Sequence, residues 1–272
     1  MAFFSQFAAA RTVPWVGLVA ISVLGGLFLP GCTMWSNRAD LSIATFVEDV
    51  PLRIESDFDL QDDSKVLQEI RNLKMELRDD LGIPFSNEKI RVRIFRNEAS
   101  FGQFTAQHFP QLAGRRALFV VERGEYHVYA VWSDAILSDL RHELTHAYLN
   151  SSVGTLPLWL DEGLAEYYEV VGVPQRINRE HLPWLTDGLK NYTWRPDLDR
   201  LAALSQPEQM THTDYAESWL WVHYLMRGGQ AEIVRNYLSA RREKQAAEPI
   251  PLVIRGRIDG AEQRLAGHLS SL

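Results

Sequence analysis

His142-Glu143-Leu144-Thr145-His146 decides how this chain is read. On a helix, residues four apart lie one turn from each other on the same face. Two neutral imidazoles at that spacing can share one tetrahedral Zn²⁺, and the carboxylate beside them can take a proton from water activated by the ion. An H-E-x-x-H arises by accident in a chain of this length on the order of one time in a hundred, and most accidental copies bind nothing. The weight given to the pentapeptide therefore depends on what surrounds it.

A helix is expected around it over 134–150. Ile136, Leu137, Leu140, Leu144, Ala147 and Tyr148 fall on one side of a helical wheel. His142 and His146 fall on the opposite side, with Asp139 near them and Glu143 at the flank. Histidines on an apolar face are usually core residues, and these two are off it. The expected helix buries its apolar stripe and turns the motif toward a cleft.

The next segment, Leu156 to Glu169, reads as a second helix with Pro157 suited to its first turn. Leu160, Leu164, Tyr167 and Tyr168 form its apolar side, and Glu162, Glu166 and Glu169 the other. A catalytic zinc keeps three protein ligands and one open position, so Glu162 can supply the third ligand. A metal-binding histidine usually gives its second ring N–H to a carboxylate or carbonyl. Glu166, one turn beyond Glu162, is expected to serve one of the two histidines in this way. The competing reading is a solvated acidic helix face, the commoner fate of three glutamates at such spacing. The upstream histidines weigh against it.

His142-Glu143-x-x-His146 followed by Trp159-Leu160-x-Glu162-Gly163-x-Ala165-Glu166-Tyr167 resembles the gluzincin (peptidase MA-like) zinc metallopeptidases, and in particular exported bacterial members with a W-L-x-E-G-L-A-E-Y signature. The diagnostic likeness covers roughly residues 130–170, with a looser likeness to about 226. It implies that His142, His146 and Glu162 hold zinc and that Glu143 is the general base. It also implies an oxyanion donor, Tyr or His, on a later helix. Tyr215 is the candidate, with His212 and His223 as alternatives, although a core or helix-capping tyrosine is an equally good reading. By the same likeness the strand before the motif helix, 126–132, is a sheet edge that pairs with extended substrate. His127 on it reads as a surface residue. Metzincins need Gly and a third His after the motif, where this chain has Leu149 and Ser152.

Working outward, a strand is expected over 51–58, a helix over 62–81, a strand over 90–94 and a short helix over 98–108. Runs at 117–121 and 126–132 flank Glu122-Arg123-Gly124-Glu125, a hairpin turn. Amphipathic helices follow at 231–242 and 257–269. The expected fold is α+β and gluzincin-like. A small N-terminal α/β half with a mixed sheet covers 51–150, a mainly helical half covers 151–272, and the active-site cleft lies between them.

The first 31 residues read as a leader. Arg11 is their only charge, and from Thr12 to Gly31 nothing is ionisable. Leu29-Pro30-Gly31-Cys32 resembles a lipobox, although Pro30 is uncommon there. Cys32, the only cysteine, is the expected lipidation point, and 32–50 the tether. Thr33 resembles outer-membrane sorting where the organism has such a membrane. An uncleaved membrane anchor is the alternative. Either way the remaining chain is expected outside the cytoplasmic membrane, with no internal disulfide.

Composition is ordinary for a globular protein: 46% hydrophobic, 23% charged, formal net charge -7. No basic patch points to nucleic acid. The function expected is that of a membrane-anchored zinc peptidase acting on a peptide or protein substrate. Two other readings stay open: a non-catalytic binding or scaffolding lipoprotein on a peptidase-like fold, and a zinc amidase acting on a cell-envelope substrate.

Overall fold

The computed structural model describes residues 43–46, 52–60, 65–84, 90–173 and 175–272. The expected leader, Cys32 and most of the tether lie outside the described residues. Strand β1 (Ile43–Phe46) stands inside the segment expected to be tether. It pairs antiparallel with β2 (Leu52–Ser56).

The chain is α+β. Its five-stranded mixed sheet has the order β1-β2-β3-β5-β4. β3 (Ile90–Phe95) runs parallel to β2 on one side and to β5 (Glu125–Val131) on the other. β2 and β3 are joined through α1 (Lys65–Leu81), because parallel neighbours need a crossover rather than a tight turn. Helix α1 buries Val66, Ile70, Leu73 and Leu77, the three- and four-residue steps of an apolar stripe. β4 (Ala117–Glu122) pairs antiparallel with β5 through a two-residue loop. Arg123 and Gly124 both have positive φ, 52° and 80°. That is the loop geometry whose twist matches a right-handed hairpin.

One likeness-based expectation is corrected by this order. The strand before the motif helix, β5, is interior, and its hairpin partner β4 stands at that edge of the sheet. A hairpin shows from sequence that two strands are neighbours, but not which of them meets the rest of the sheet.

Strand alternation gives the sheet two apolar faces. Ala117, Phe119, Val128 and Ala130 share one core with α1 and with α3 (Ile136–Val153). Leu118, Val120, Tyr129 and Val131 pack with Phe101 of α2 (Glu98–His108), Phe109 and Leu112 on the other face. His127 is only partly exposed, beside Glu125 and stacked on Tyr129.

After α3 the described chain is helical: α4 (Leu158–Glu169), α5 (His181–Lys190), α6 (Leu198–Ala203), α7 (His212–Arg227), α8 (Ala231–Arg242), α9 (Ile250–Arg257) and α10 (Ala261–Ser271). The helix expected over 257–269 begins later, at Ala261, because α9 ends at Arg257 and 258–260 form the link between them. Among the described residues no helix is long and apolar enough to cross a membrane.

Two junctions hold α3 and α4 in place. Arg141 of α3 is buried, donates to the Tyr168 carbonyl at the end of α4 (2.6 Å) and to Glu69 of α1 (3.0 Å), and also pairs with Glu76. Gly163 of α4 lies against the backbone of α7. A methyl group on it would stand 2.4 Å from the Ser218 carbonyl oxygen and 2.8 Å from Val222 Cγ2. Gly163→Ala gains about 1 kcal/mol of helix propensity. The clash is with backbone, which cannot swing away, so overpacking wins. We expect a net destabilisation of about 1–3 kcal/mol, read as a lower urea midpoint. A midpoint equal to or above wild type would show that the two helices are not in this close contact.

Candidate metal centre

The sheet face carries α3, and α7 carries α4, so the two motif helices meet where the sheet half joins the helical half. Glu162 Oε2 lies 3.6 Å from His142 Nε2 and 3.7 Å from His146 Nε2. Tetrahedral zinc bonds of about 2.0–2.2 Å hold their donor atoms roughly 3.3–3.6 Å apart. The three side chains, all buried, therefore form a cluster that could hold a metal ion, with ligand atoms within 4.8 Å of one another. The Nε2 atoms of both histidines are buried and have no hydrogen-bond partner among the described residues. Buried polar atoms without partners are costly. A divalent cation would satisfy both, so the residues fit one.

The expected exposure of the motif is not what the structure has. His142, Glu143 and His146 are 0–1% exposed, and Glu162 is equally buried. The face opposite the apolar stripe of α3 is covered by protein. Glu162 and Glu166 are likewise interior, which disposes of the solvated acidic face. A polar stripe signals only that a surface is not oily. Water and a paired polar interior satisfy it equally well.

Each histidine also faces a carboxylate at its other nitrogen, through a hydrogen bond for His142 and at ion-pair distance, without one, for His146. His142 Nδ1 lies 2.9 Å from Glu169 Oε2, and His146 Nδ1 lies 3.3 Å from Asp161 Oδ1. A proton on each Nδ1, facing a carboxylate, leaves each Nε2 lone pair directed at the cluster. Glu166, expected in this role, lies close to His142 and Glu169 but hydrogen-bonds to neither motif histidine. Its Oε2 pairs with His181 Nε2 at 2.8 Å, and Asn178 bridges Glu166 (3.5 Å) and Glu169 (3.2 Å). Asp161 and Glu169 flank Glu162 in sequence. Which carboxylate reaches which ring nitrogen is set by how α4 crosses α3, and spacing along α4 alone does not reveal it.

Burial dominates the electrostatics here. It pushes Glu143 above the usual carboxylate range, against the pull of His142, His146 and Arg115. It raises Glu166 and Glu169 to about 7. Burial disfavours charge on His142, but the carboxylates of Glu162 and Glu169 outweigh it and raise its pKa well above the ordinary histidine value. Both oxygens of Glu143 are buried without a hydrogen-bond partner among the described residues.

Tyr215, near the start of α7, is buried, and the charges of Glu162, Arg115, Glu166 and Glu143 act on it. Its hydroxyl is pushed up, first by burial and then by Glu162, and so stays protonated. The alternatives have partners of their own. Both His223 ring nitrogens are engaged, Nε2 with the Gln175 carbonyl (2.8 Å) and Nδ1 with His268 (2.9 Å). His212 packs against His181 and Trp184. A surface cavity of about 560 Å³, lined by Trp194, Arg200, Asp214 and Arg255 among others, contains none of the motif residues.

Two predictions follow from this geometry. Glu162→Gln should abolish stoichiometric uptake of a divalent metal, measured by metal analysis after dialysis. Glu169→Gln should weaken it about 10–100-fold, the usual effect of losing a carboxylate behind a ligating histidine. A Glu169→Gln variant with wild-type affinity would remove that carboxylate from the centre. The second prediction concerns pH. Glu166, Glu169 and His142 have folded pKa values above their unfolded ones, so the metal-free folded state binds more protons than the unfolded chain. Their stabilisation is present at low pH and is lost as pH rises through their folded values. His127, His181, His212, His223 and His268 are lowered by burial and act with the opposite sign; an unfolded histidine is half protonated at pH ~6.5, so their contribution fades only above pH ~7.5. Metal-free protein should therefore lose stability as pH rises above ~7.5, through the folded value of His142, and a bound divalent cation should reverse the loss. A metal-free melting temperature that rises over this window would contradict the charge arrangement. No family model matches this chain, and no curated protein matches it in sequence.

Proposed function

We propose that this chain is a zinc-dependent peptidase of the gluzincin kind, exported and tethered to the membrane through a lipid on Cys32. The observation that carries the enzymatic reading is the position of Glu143. Its buried carboxylate, lacking a hydrogen-bond partner among the described residues, stands beside a buried three-donor cluster formed by two histidines of its own helix and Glu162 of the next. The donor set of two imidazoles and one carboxylate suits zinc among the common divalent ions.

His142, His146 and Glu162 would hold the ion. Bound there, zinc supplies an acidified water near neutral pH and polarises the scissile carbonyl. The chain's own groups do the rest. Glu143, made more basic by burial, takes a proton from the water as its oxygen attacks the carbonyl carbon. It then delivers that proton to the amine nitrogen as the C–N bond breaks. The Tyr215 hydroxyl donates a hydrogen bond to the oxygen that accumulates negative charge. Asp161 and Glu169 keep the imidazoles in the tautomer that presents Nε2. Burial excludes bulk water and strengthens each of these interactions.

Glu143→Gln keeps the side-chain size and removes the base. It should retain one zinc per chain and lose cleavage of a mixed peptide library by about 10²–10⁴-fold. Chelation should abolish cleavage by the wild-type protein, and added zinc should restore it. A Glu143→Gln variant that cleaves as fast as wild type would sink the proposal.

A further inference from the structure

Arg115 stands out among the buried and partly buried guanidinium groups. Arg116 pairs with Asp139 at 2.7 Å, Arg141 with Glu69 and Glu76, and Arg176 with Glu76 at 2.9 Å. Among the described residues no ion pair or side-chain hydrogen bond involves Arg115, and its Nη1 is buried without a partner. A charged donor is rarely left so in a folded chain unless something binds it.

Its location says what that could be. Arg115 comes two residues before Ala117, at the start of edge strand β4. It lies just outside the strand, next to Arg116, which reaches α3. β4 tracks α3 in that direction. Arg116 meets Asp139, and Phe119 lies over His146 with ring centroids 6.4 Å apart. Arg115 thus sits at one end of the line that passes the metal cluster, and its charge acts on both Glu143 and Tyr215. Those are the two groups that would flank the reacting carbonyl.

We infer that Arg115 recognises a carboxylate of the peptide substrate close to the bond that is cut. The inference rests on the peptidase reading and extends it to a substrate class. A guanidinium fork matches a carboxylate with two parallel hydrogen bonds, and a partly buried one does so with little screening. In a peptide that group is either the terminal carboxylate or an acidic side chain. The terminal carboxylate would make the enzyme a trimmer of chain ends, and the acidic side chain an endopeptidase cutting beside Asp or Glu.

Three zinc-directed thiol probes separate these cases by calorimetry on the zinc-loaded protein: mercaptoacetyl-leucyl-alanine as the free acid, the same compound as its C-terminal amide, and mercaptoacetyl-leucyl-aspartic acid amide. A charge-assisted hydrogen bond predicts that one carboxylate probe binds about 10–100-fold more tightly than the neutral amide. The free acid being preferred assigns the terminal carboxylate, and the aspartyl probe an acidic side chain. In Arg115→Met that ratio should fall to about one. Arg115→Lys, which keeps the charge without the fork, should give an intermediate ratio and serves if the Met variant does not fold. Equal binding of all three probes by wild type, or a preference that survives in Arg115→Met, overturns the role of Arg115 while leaving the peptidase reading intact. Failure of the protein to take up zinc, or to bind any probe, overturns both.

Discussion

The face-to-face burial of two polar helix surfaces is the constraint on which this structure depends. α3 and α4 each present ionisable groups to the other, and both faces are shut away from water. Charges in such an interior are tolerated only when paired, bonded or attached to a metal. The pairs are therefore specific: His142 with Glu169, His146 with Asp161, His181 with Glu166, and Arg141 with Glu69 and the Tyr168 carbonyl. Among the buried atoms left without a hydrogen bond are the Nε2 atoms of His142 and His146 and both carboxylate oxygens of Glu143. They are also the atoms that the proposed chemistry requires.

The mixed sheet serves this arrangement as a floor. Parallel β2, β3 and β5 are apolar on the face that supports α1 and α3, and the aromatic cluster of α2 closes the other face. Because α3 is anchored along its whole apolar stripe, its opposite face is held at a fixed height for α4. Rigid elements hold interacting side chains to tighter tolerances than loops do.

Much of this was legible in the residues themselves. The stripe of α1, the alternation of β3, the short helix at Glu98–His108 and the Arg123-Gly124 turn all follow from local periodicity and turn chemistry, and the structure has each of them. The grouping of His142, His146 and Glu162 was also readable, because two of the three share a helix face and the third begins the next helix. What could not be read depends on contacts between distant segments. Sequence alone does not place β4 rather than β5 at the edge, pair β1 with β2, or choose Glu169 over Glu166 as the partner of His142. Nor does a binary pattern distinguish a helix face turned to solvent from one turned to a polar interior, so the burial of the motif was missed. Arg115 carries no pattern of its own. Its interest comes from the partners it lacks.

Gly163 has a mechanical consequence. With no side chain between them, α4 and α7 are seated backbone to backbone, and neither can slide or roll without colliding with the other. Glu162 rides on the first helix and Tyr215 on the second, so these two groups are carried by one lever and keep their spacing as the molecule breathes. On the proposed reading, the give needed to admit a substrate then falls to the other wall, where β4 forms a margin of the sheet with one lateral neighbour.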